Sequence, residues 1–116
     1  MFVVLCDIGY SEIQSMTWYV YLLICKGGAL YTGITTDVER RFAQHLAGKG
    51  AKYTRSFPPE RVLASWPCAS RRIALQLEYA IKRLLPEQKL ALAQGVSVPL
   101  AAAVGLEDGV WIAVGI

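Results

Sequence analysis

Histidine and cysteine are scarce in this sequence, which limits the metal sites that it can build. The 116 residues include one histidine and three cysteines, and no two cysteines form a CxxC pair. A structural zinc site needs about four nitrogen or sulfur ligands at short spacings, and a disulfide framework needs paired cysteines. The sequence supports neither, and Cys25 and Cys68, which lie inside apolar runs, are expected to be buried thiols.

Long apolar runs and secretion signals are missing as well. The first fifteen residues, MFVVLCDIGYSEIQS, lack a basic region, and their apolar run is too short for a signal peptide. No apolar segment reaches the roughly eighteen residues of a membrane-spanning helix, because Glu107 and Asp108 interrupt the hydrophobic tail. We expect a cytoplasmic protein with no membrane partner.

The sequence does contain a strongly basic centre. All twelve Lys and Arg residues lie within 16–95, where five carboxylates oppose them, so this segment carries a net charge of +7. Residues 1–15 and 96–116 each carry −2. A compact cationic segment suits a polyanion such as a nucleic acid, although surface charge can also serve solubility alone.

The order of residue patterns predicts a small α+β domain. Runs of apolar, aromatic and β-branched residues on both sides of Gly27-Gly28 predict a β-hairpin, and apolar residues at helical spacing follow it. We predict a three-stranded antiparallel sheet flanked by helices, in the order β-β-α-β-α-α. The predicted elements are strands 17–25, 29–34 and 61–68, helices 37–47, 70–85 and 87–93, a loop over 48–55, and a further candidate strand over 110–114.

The length of the hairpin loop decides which side chains meet. With a three-residue loop at 26–28, position i pairs with position 54 − i, so Tyr21 and Tyr31 share a face because side chains alternate along a strand. A two-residue Gly-Gly loop would put the two tyrosines on opposite faces. We expect the three-residue loop, with Gly28 in the left-handed conformation.

The first helix combines an apolar stripe with two polar side chains. Val38, Phe42 and Leu46 recur every four residues and predict its buried side. Arg41 and His45, also four residues apart, lie together on a neighbouring side of the helix. An arginine and a histidine placed in this way can serve phosphate chemistry.

These positions together resemble the GIY-YIG nuclease superfamily, and in particular its small single-domain bacterial members. The resemblance covers roughly residues 17–92 and depends on an ordered set of residues: Tyr19-Val20-Tyr21, Tyr31-Thr32-Gly33, Arg41, His45 and Glu78. The chain departs from the family at Tyr19, where the family name has glycine, and at Ile34, where some repair relatives carry lysine. It also contains no asparagine, so the amide contact of some restriction-type relatives is missing. The resemblance implies a nuclease domain over 16–95, between an N-terminal extension, 1–15, and an apolar tail, 96–116.

The resemblance also implies a catalytic set: Tyr21, Tyr31, Arg41, His45 and Glu78. Tyr21 would act as the general base, with its phenolate favoured by Arg41 and the metal, and His45 would relay the proton. Tyr31 would contact the phosphate or the water, and Arg41 would hold the scissile phosphate. Without the resemblance, two strand tyrosines would be ordinary half-buried sheet residues.

Glu78 is the expected metal ligand. A single carboxylate, completed by waters and phosphate oxygens, suits one Mg²⁺ or Mn²⁺ ion. The alternative for Glu78 is an exposed ion pair with Lys82, four residues later on the same helix.

A basic stretch after the first helix supplies candidate contacts to the nucleic acid. Residues 48–55, GKGAKYTR, hold three cations and an aromatic ring that can stack on a base. The KYTR part resembles a recurrent stretch in the small members of the superfamily, while a solvated loop is the alternative. We predict nucleic-acid contacts at Arg40, Lys49, Lys52, Tyr53 and Arg55.

The leading hypothesis is a metal-dependent endonuclease that hydrolyses phosphodiester bonds. DNA is a better expectation than RNA, at damaged, branched or single-stranded sites, which would place the protein in DNA repair. Two alternatives remain: a catalytically silent nucleic-acid-binding module on the same fold, and a protein-interaction module that uses the apolar tail 96–116.

Overall fold

A computed structural model describes residues 17–114 of the chain, and the expected extension over 1–15 lies outside them. The described residues form five strands and four helices. In chain order these are β1 (Trp18–Cys25), β2 (Leu30–Thr35), α1 (Val38–Leu46), α2 (Lys52–Ser56), β3 (Pro59–Cys68), α3 (Arg71–Lys82), α4 (Pro86–Ala93), β4 (Val104–Glu107) and β5 (Val110–Ala113). None of these helices is long and apolar enough to cross a bilayer.

The five strands form one mixed sheet in the order β2-β1-β3-β5-β4. The central strand β1 pairs antiparallel with both β2 and β3, whereas β5 joins β3 in parallel through Cys68 and Trp111. The prediction of a three-stranded antiparallel sheet is therefore wrong in the number of strands and in the direction of one pair. The additional strands come from a C-terminal hairpin that turns at Asp108 and Gly109, with φ of 53° and 79°. Asp-Gly is a favoured sequence for such a turn.

The first hairpin has the register that three loop residues impose. Tyr21 pairs with Gly33 and Leu23 pairs with Tyr31 across β1 and β2, and the turn Lys26–Gly28 connects the two strands. The three-residue loop is confirmed, and Gly27 as well as Gly28 adopts the left-handed conformation, with φ of 79° and 84°. As a result, the rings of Tyr21 and Tyr31 lie on the same side of the sheet, 6.2 Å apart.

The sheet is covered by helices on both faces. Helix α3 packs its buried residues Ile73, Leu77 and Ile81 against one face, together with Val20 and Trp111. On the other face, Tyr21, Leu23 and Cys25 contact Val38 and Phe42 of α1. Burial of this apolar surface on two sides of one sheet supplies most of the driving force for folding. Cys25 and Cys68 are buried free thiols, as expected.

Helices α1 and α3 begin at residues whose side chains cap them. Asp37 accepts a hydrogen bond from the backbone N–H of Arg40 at 3.1 Å, and Ser70 accepts one from Ile73 at 3.2 Å, which satisfies amide groups that the first turn leaves free. Leu46, predicted on the buried side of α1, is exposed, and in the last turn it is His45 that is buried. The expected loop over 48–55 is partly helical, since α2 begins at Lys52.

Candidate active site

Three aromatic rings from three elements meet above the hairpin. Tyr21 comes from β1, Tyr31 from β2 and His45 from the last turn of α1. The ring centroid of His45 lies 5.9 Å from that of Tyr21 and 5.1 Å from that of Tyr31. Tyr21 and His45 are each only 1% exposed, whereas Tyr31 is half-buried. The fold therefore brings together three of the five residues of the expected catalytic set at one point.

A chain of hydrogen bonds runs through this cluster into the backbone. Oη of Tyr21 lies 2.8 Å from Nε2 of His45, and Nδ1 of the same imidazole lies 2.7 Å from Oγ1 of Thr54. The Thr54 hydroxyl donates to the carbonyl oxygen of Ala51 at 2.9 Å. Every polar atom of the buried phenol and imidazole thus has a partner, as buried polar groups require.

Two glycines leave the space that these rings occupy. A Cβ on Gly33 would lie 2.5 Å from Oη of Tyr21, and a Cβ on Gly50 would lie 2.7 Å from Cε1 of His45 and closer still to Nδ1. Neither glycine has a positive φ, so it is the missing side chain and not backbone freedom that matters here. Gly33 belongs to the Tyr31-Thr32-Gly33 motif, but nothing in the local sequence distinguishes Gly50 from an ordinary loop glycine.

Burial sets the protonation states of the phenol and the imidazole. It raises the pKa of Tyr21 to about 12, with a further increase from Tyr31 and a smaller one from Glu78, while Arg41 opposes the shift. Burial also lowers the pKa of His45, and the positive charge of Arg41 lowers it further. Near neutral pH the resting site therefore holds a protonated phenol and a neutral imidazole.

Arg41 lies beside the phenol, and Arg40 does not. The guanidinium of Arg41 is half-buried, favours the ionised form of Tyr21, and donates from Nη1 to Oε1 of Gln44 at 2.9 Å. Arg40 is exposed on another side of the helix. A guanidinium whose neighbours in the described part of the chain are a neutral amide and a phenol, and no carboxylate, can exchange the amide for a phosphate oxygen at small cost.

Glu78 lies on α3, the helix that covers the opposite face of the sheet. Its side chain is 18% exposed, and Oε2 lies 3.1 Å from Nζ of Lys82, so the ion pair with Lys82 forms. Its charge nevertheless acts on the phenol of Tyr21. The described residues contain no group of three or more His, Cys, Asp or Glu side chains that could hold a metal ion. One carboxylate, with waters and substrate phosphate oxygens as further ligands, fits Mg²⁺ and does not require such a group.

An aromatic row extends from Tyr31 to the surface. The ring of Tyr53 stacks on Tyr31 at 5.9 Å with an interplanar angle of 28°, and the ring of Phe57 lies 5.1 Å beyond Tyr53. Tyr53 and Phe57 are 40% and 43% exposed. Phe57 was not among the residues predicted from the sequence. Its position four residues after Tyr53 was the available signal, because a helix over this segment places the two rings together.

Exposed cations lie in the same part of the chain as the aromatic row. Four of the predicted contact residues are exposed and belong to α1, α2 or the segment between them: Arg40, Lys49, Lys52 and Arg55. The single ion pair among residues 17–114 joins Glu78 and Lys82, so these four charges are not neutralised by neighbouring carboxylates within that range.

Known proteins resemble this chain in sequence over the same region. A family model described as the GIY-YIG catalytic domain matches residues 17–91. A UPF0213 protein of Cupriavidus pinatubonensis is 57% identical over 82 residues, which cover 71% of this chain and 91% of the relative. A UPF0213 protein of Halalkalibacterium halodurans is 50% identical over 74 residues, which cover 64% and 79%. A solution NMR structure of a UPF0213 protein from Bacillus halodurans matches with a TM-score of 0.46 and 46% identity, over 72% of this chain and 89% of that one.

Proposed function

The chain belongs to the GIY-YIG family of nucleases, and we propose that it is a metal-dependent endonuclease that hydrolyses phosphodiester bonds, in DNA rather than RNA. The main support is the hydrogen bond between the buried Tyr21 phenol and the neutral His45 imidazole, with the Arg41 guanidinium beside it. Two titratable groups whose pKa values are shifted by burial and by a neighbouring cation, within hydrogen-bond distance of each other, are the arrangement that general acid–base catalysis uses.

The attacking water loses its proton through Tyr21 to His45. As the water oxygen bonds to phosphorus, its proton passes to Oη of Tyr21, and the phenol proton passes to Nε2 of His45, 2.8 Å away. The bond from phosphorus to the leaving oxygen breaks in the same displacement. Because the phenol gives up one proton while accepting another, no free phenolate is required, and a Tyr21 pKa of about 12 is compatible with this role.

Arg41 and Tyr31 hold the phosphate. Tyr21 is almost fully covered, and Arg41 beside it donates to Gln44. We assign to the incoming phosphate the displacement of Gln44 from Arg41, so that the guanidinium turns to the phosphate and the attacking water reaches the phenol. The planar guanidinium binds two phosphate oxygens at once, and the half-buried Tyr31 contacts the phosphate or the water. Glu78 would hold one Mg²⁺ or Mn²⁺, whose charge would stabilise the developing negative charge on the phosphate.

The surface around the site favours unpaired nucleotides. Tyr53 and Phe57 offer exposed rings, and stacking on such rings requires a base that has left its own stack. Lys52 and Arg55 flank these rings on α2 and suit contacts to phosphates. Single-stranded, branched or damaged DNA is therefore the proposed substrate class.

Substitution of Glu78 tests whether the protein is a metal-dependent enzyme. Glu78→Gln removes the carboxylate charge and also breaks the ion pair with Lys82. Lys82→Met is the matched control, because it breaks the same ion pair and retains the carboxylate. We expect Glu78→Gln to lose cleavage of single-stranded and branched DNA at saturating Mg²⁺ or Mn²⁺ while it still binds these substrates, and Lys82→Met to retain cleavage.

The wild-type protein must first cleave a panel of structures. Labelled single-stranded, duplex and branched DNA and RNA are incubated with the protein, with and without Mg²⁺ or Mn²⁺. Cleavage by Glu78→Gln at the wild-type rate would contradict the role of Glu78. No cleavage of any structure, together with salt-sensitive binding, would support a nucleic-acid-binding module instead of an enzyme.

A further inference from the structure

We propose that Thr54 is a positioning residue that fixes the tautomer of His45, with the proton on Nδ1 and a free lone pair on Nε2 facing Tyr21. The catalytic consequence of this arrangement depends on the proposed nuclease function, whereas the tautomer itself does not. Thr54 lies in α2, nine residues after His45, and has no other assigned role.

The hydrogen-bond chain has one hydroxyl proton at Thr54 and two possible acceptors for it, Ala51 and His45. A threonine hydroxyl has one proton and can donate once. The carbonyl oxygen of Ala51 can only accept, and it lies 2.9 Å from Oγ1 of Thr54, so it takes that proton. Towards the imidazole, 2.7 Å away, the hydroxyl oxygen can then only accept. Nδ1 of His45 must therefore carry a hydrogen.

With the proton on Nδ1, Nε2 of His45 is unprotonated. A neutral imidazole has one N–H, so Nε2 is left with a lone pair. The group 2.8 Å from Nε2 is the hydroxyl of Tyr21, which must be the donor. The chain of donors thus runs from Tyr21 to His45 to Thr54 to Ala51, and its direction is the one that moves a proton from the phenol to the imidazole.

Burial keeps water from replacing the hydrogen bond between His45 and Thr54. Thr54 and His45 are each 1% exposed, so solvent does not offer Nδ1 a competing partner. Gly50 adds to the constraint, because its missing side chain lets the segment before α2 lie against the imidazole. The charged or titratable groups that face the imidazole are Tyr21, Tyr31 and Arg41.

A neutral orienting group suits a reversible relay. A carboxylate at the position of Thr54 would favour imidazolium and hold the proton on His45. The Thr54 hydroxyl orients the ring without adding a negative charge. His45 can therefore take the phenol proton during attack and return it to Tyr21 afterwards, as Tyr21 passes the water-derived proton to the leaving oxygen, which restores the neutral phenol and the neutral imidazole.

Nitrogen NMR of the histidine ring tests the tautomer directly. His45 is the single histidine of the chain, so ¹⁵N-histidine labelling gives one pair of ring signals. At pH 7.5 in the wild-type protein, we expect Nδ1 to show the chemical shift of a protonated nitrogen and Nε2 that of an unprotonated one. The opposite pattern in the wild type would overturn the proposal without any variant.

Variants then test whether Thr54 is the cause. Thr54→Val removes the hydroxyl at nearly constant shape and should abolish the single Nδ1–H tautomer, while Thr54→Ser should restore it. Thr32→Val is the matched control, because Thr32 is another buried threonine and its hydroxyl has no hydrogen-bond partner among residues 17–114. If Thr54→Val folds and keeps the wild-type tautomer, Thr54 does not fix it.

Kinetics separates this inference from the nuclease proposal. In a cleavage assay, Thr54→Val should lower kcat by at least about tenfold with little change in KM, since general acid–base groups contribute about 10²-fold or more. Thr54→Ser should recover most of the rate. A correct tautomer in a protein that cleaves nothing would leave the positioning role of Thr54 intact and contradict only the nuclease function.

Discussion

Oη of Tyr21 lies 2.8 Å from Nε2 of His45, although the two residues are 24 positions apart in the chain and belong to a strand and a helix. The contact depends on two separate features: the hairpin register that points Tyr21 towards α1, and Gly33, directly opposite on β2, whose lack of a side chain makes room for the phenol. Small changes in either feature should therefore affect the site before they affect the fold.

The first prediction concerns Gly33→Ala. The new methyl would lie 2.5 Å from the Tyr21 hydroxyl, so the phenol must move away from His45. We expect nucleic-acid cleavage to fall by more than tenfold and the free energy of unfolding to fall by about 1–3 kcal/mol, the usual cost of overpacking. Urea denaturation and a cleavage assay measure the two effects.

Gly95→Ala is the control for this loss of stability. Gly95 has a φ of 90° with open space around it, so alanine there strains the backbone by about 1–2 kcal/mol without touching Tyr21. We expect destabilisation with cleavage retained. Equal loss of cleavage in the two variants would show that stability, and not the position of Tyr21, limits activity.

The second prediction concerns stability at acidic pH. Burial lowers the pKa of folded His45 below the 6.5 of the unfolded chain, so between these two values the unfolded state binds more protons. The contribution of neutral His45 to the free energy of unfolding is then fully present above pH 6.5. It is lost as the pH falls through the pKa of His45 in the folded protein. Urea midpoints at pH 7.5 and 5.5 should show a smaller decrease for His45→Gln than for the wild type. Equal decreases would mean that His45 is not buried in its neutral form.

Much of the site could be predicted from the sequence because it follows from local periodicity. Alternation along the strands and a three-residue loop place Tyr21 and Tyr31 on one face, and a spacing of four residues aligns Arg41 with His45. Each of these relations depends on residues within one hairpin or one helix. The cap of α3 is local in the same way, because Ser70 accepts a hydrogen bond from the backbone N–H of Ile73, three residues later.

The features that the sequence did not predict depend on contacts between distant segments, which local patterns do not encode. Thr54 is one polar residue in a predicted loop, and only the packing of α2 brings its hydroxyl to His45. The parallel pairing of Cys68 with Trp111 likewise joins segments more than forty residues apart, so a strand over 110–114 could be predicted, but neither its place in this sheet nor its partner strand β4. The effect of the Glu78 charge on the pKa of Tyr21 also depends on how α3 packs across the sheet.

The third prediction concerns competition between Lys82 and the metal. Nζ of Lys82 lies 3.1 Å from Oε2 of Glu78, so a cation that binds this carboxylate must displace it. Because partly exposed ion pairs contribute up to about 1 kcal/mol, Lys82→Met should lower the half-saturating Mn²⁺ concentration about two- to fivefold. The change is measured in the cleavage assay and by Mn²⁺ titration without DNA.

Lys89→Met is the charge-matched control for Lys82→Met. Burial lowers the pKa of Lys89, and the positive charge of Lys82 lowers it further, so the two lysines are neighbours. Lys89 forms no ion pair with Glu78. We expect a smaller change in Mn²⁺ affinity for Lys89→Met. Weaker Mn²⁺ binding by Lys82→Met would contradict the assignment of the metal to Glu78.

The last prediction concerns the exposed rings of Tyr53 and Phe57. Stacking on an aromatic ring is worth about 1–3 kcal/mol per base, and only an unpaired base can stack there. Phe57→Ala removes the outer ring without touching Tyr31, so we expect it to weaken binding of single-stranded DNA about five- to a hundredfold and to change duplex binding little. Tyr53→Ala should have a similar effect. Fluorescence anisotropy of labelled oligonucleotides, in the absence of divalent metal, measures both affinities.

Tyr79→Ala tests whether the effect depends on where the ring lies. Tyr79 is an exposed aromatic residue on α3, where the guanidinium of Arg83 covers its ring, so its removal should leave both affinities unchanged. An equal loss of single-stranded and duplex binding in Phe57→Ala would mean that the ring packs against neighbouring side chains to maintain the binding surface and does not stack on a base. In that case the exposed cations of α1 and α2 would account for binding, and the protein would not distinguish unpaired nucleotides from duplex by this route.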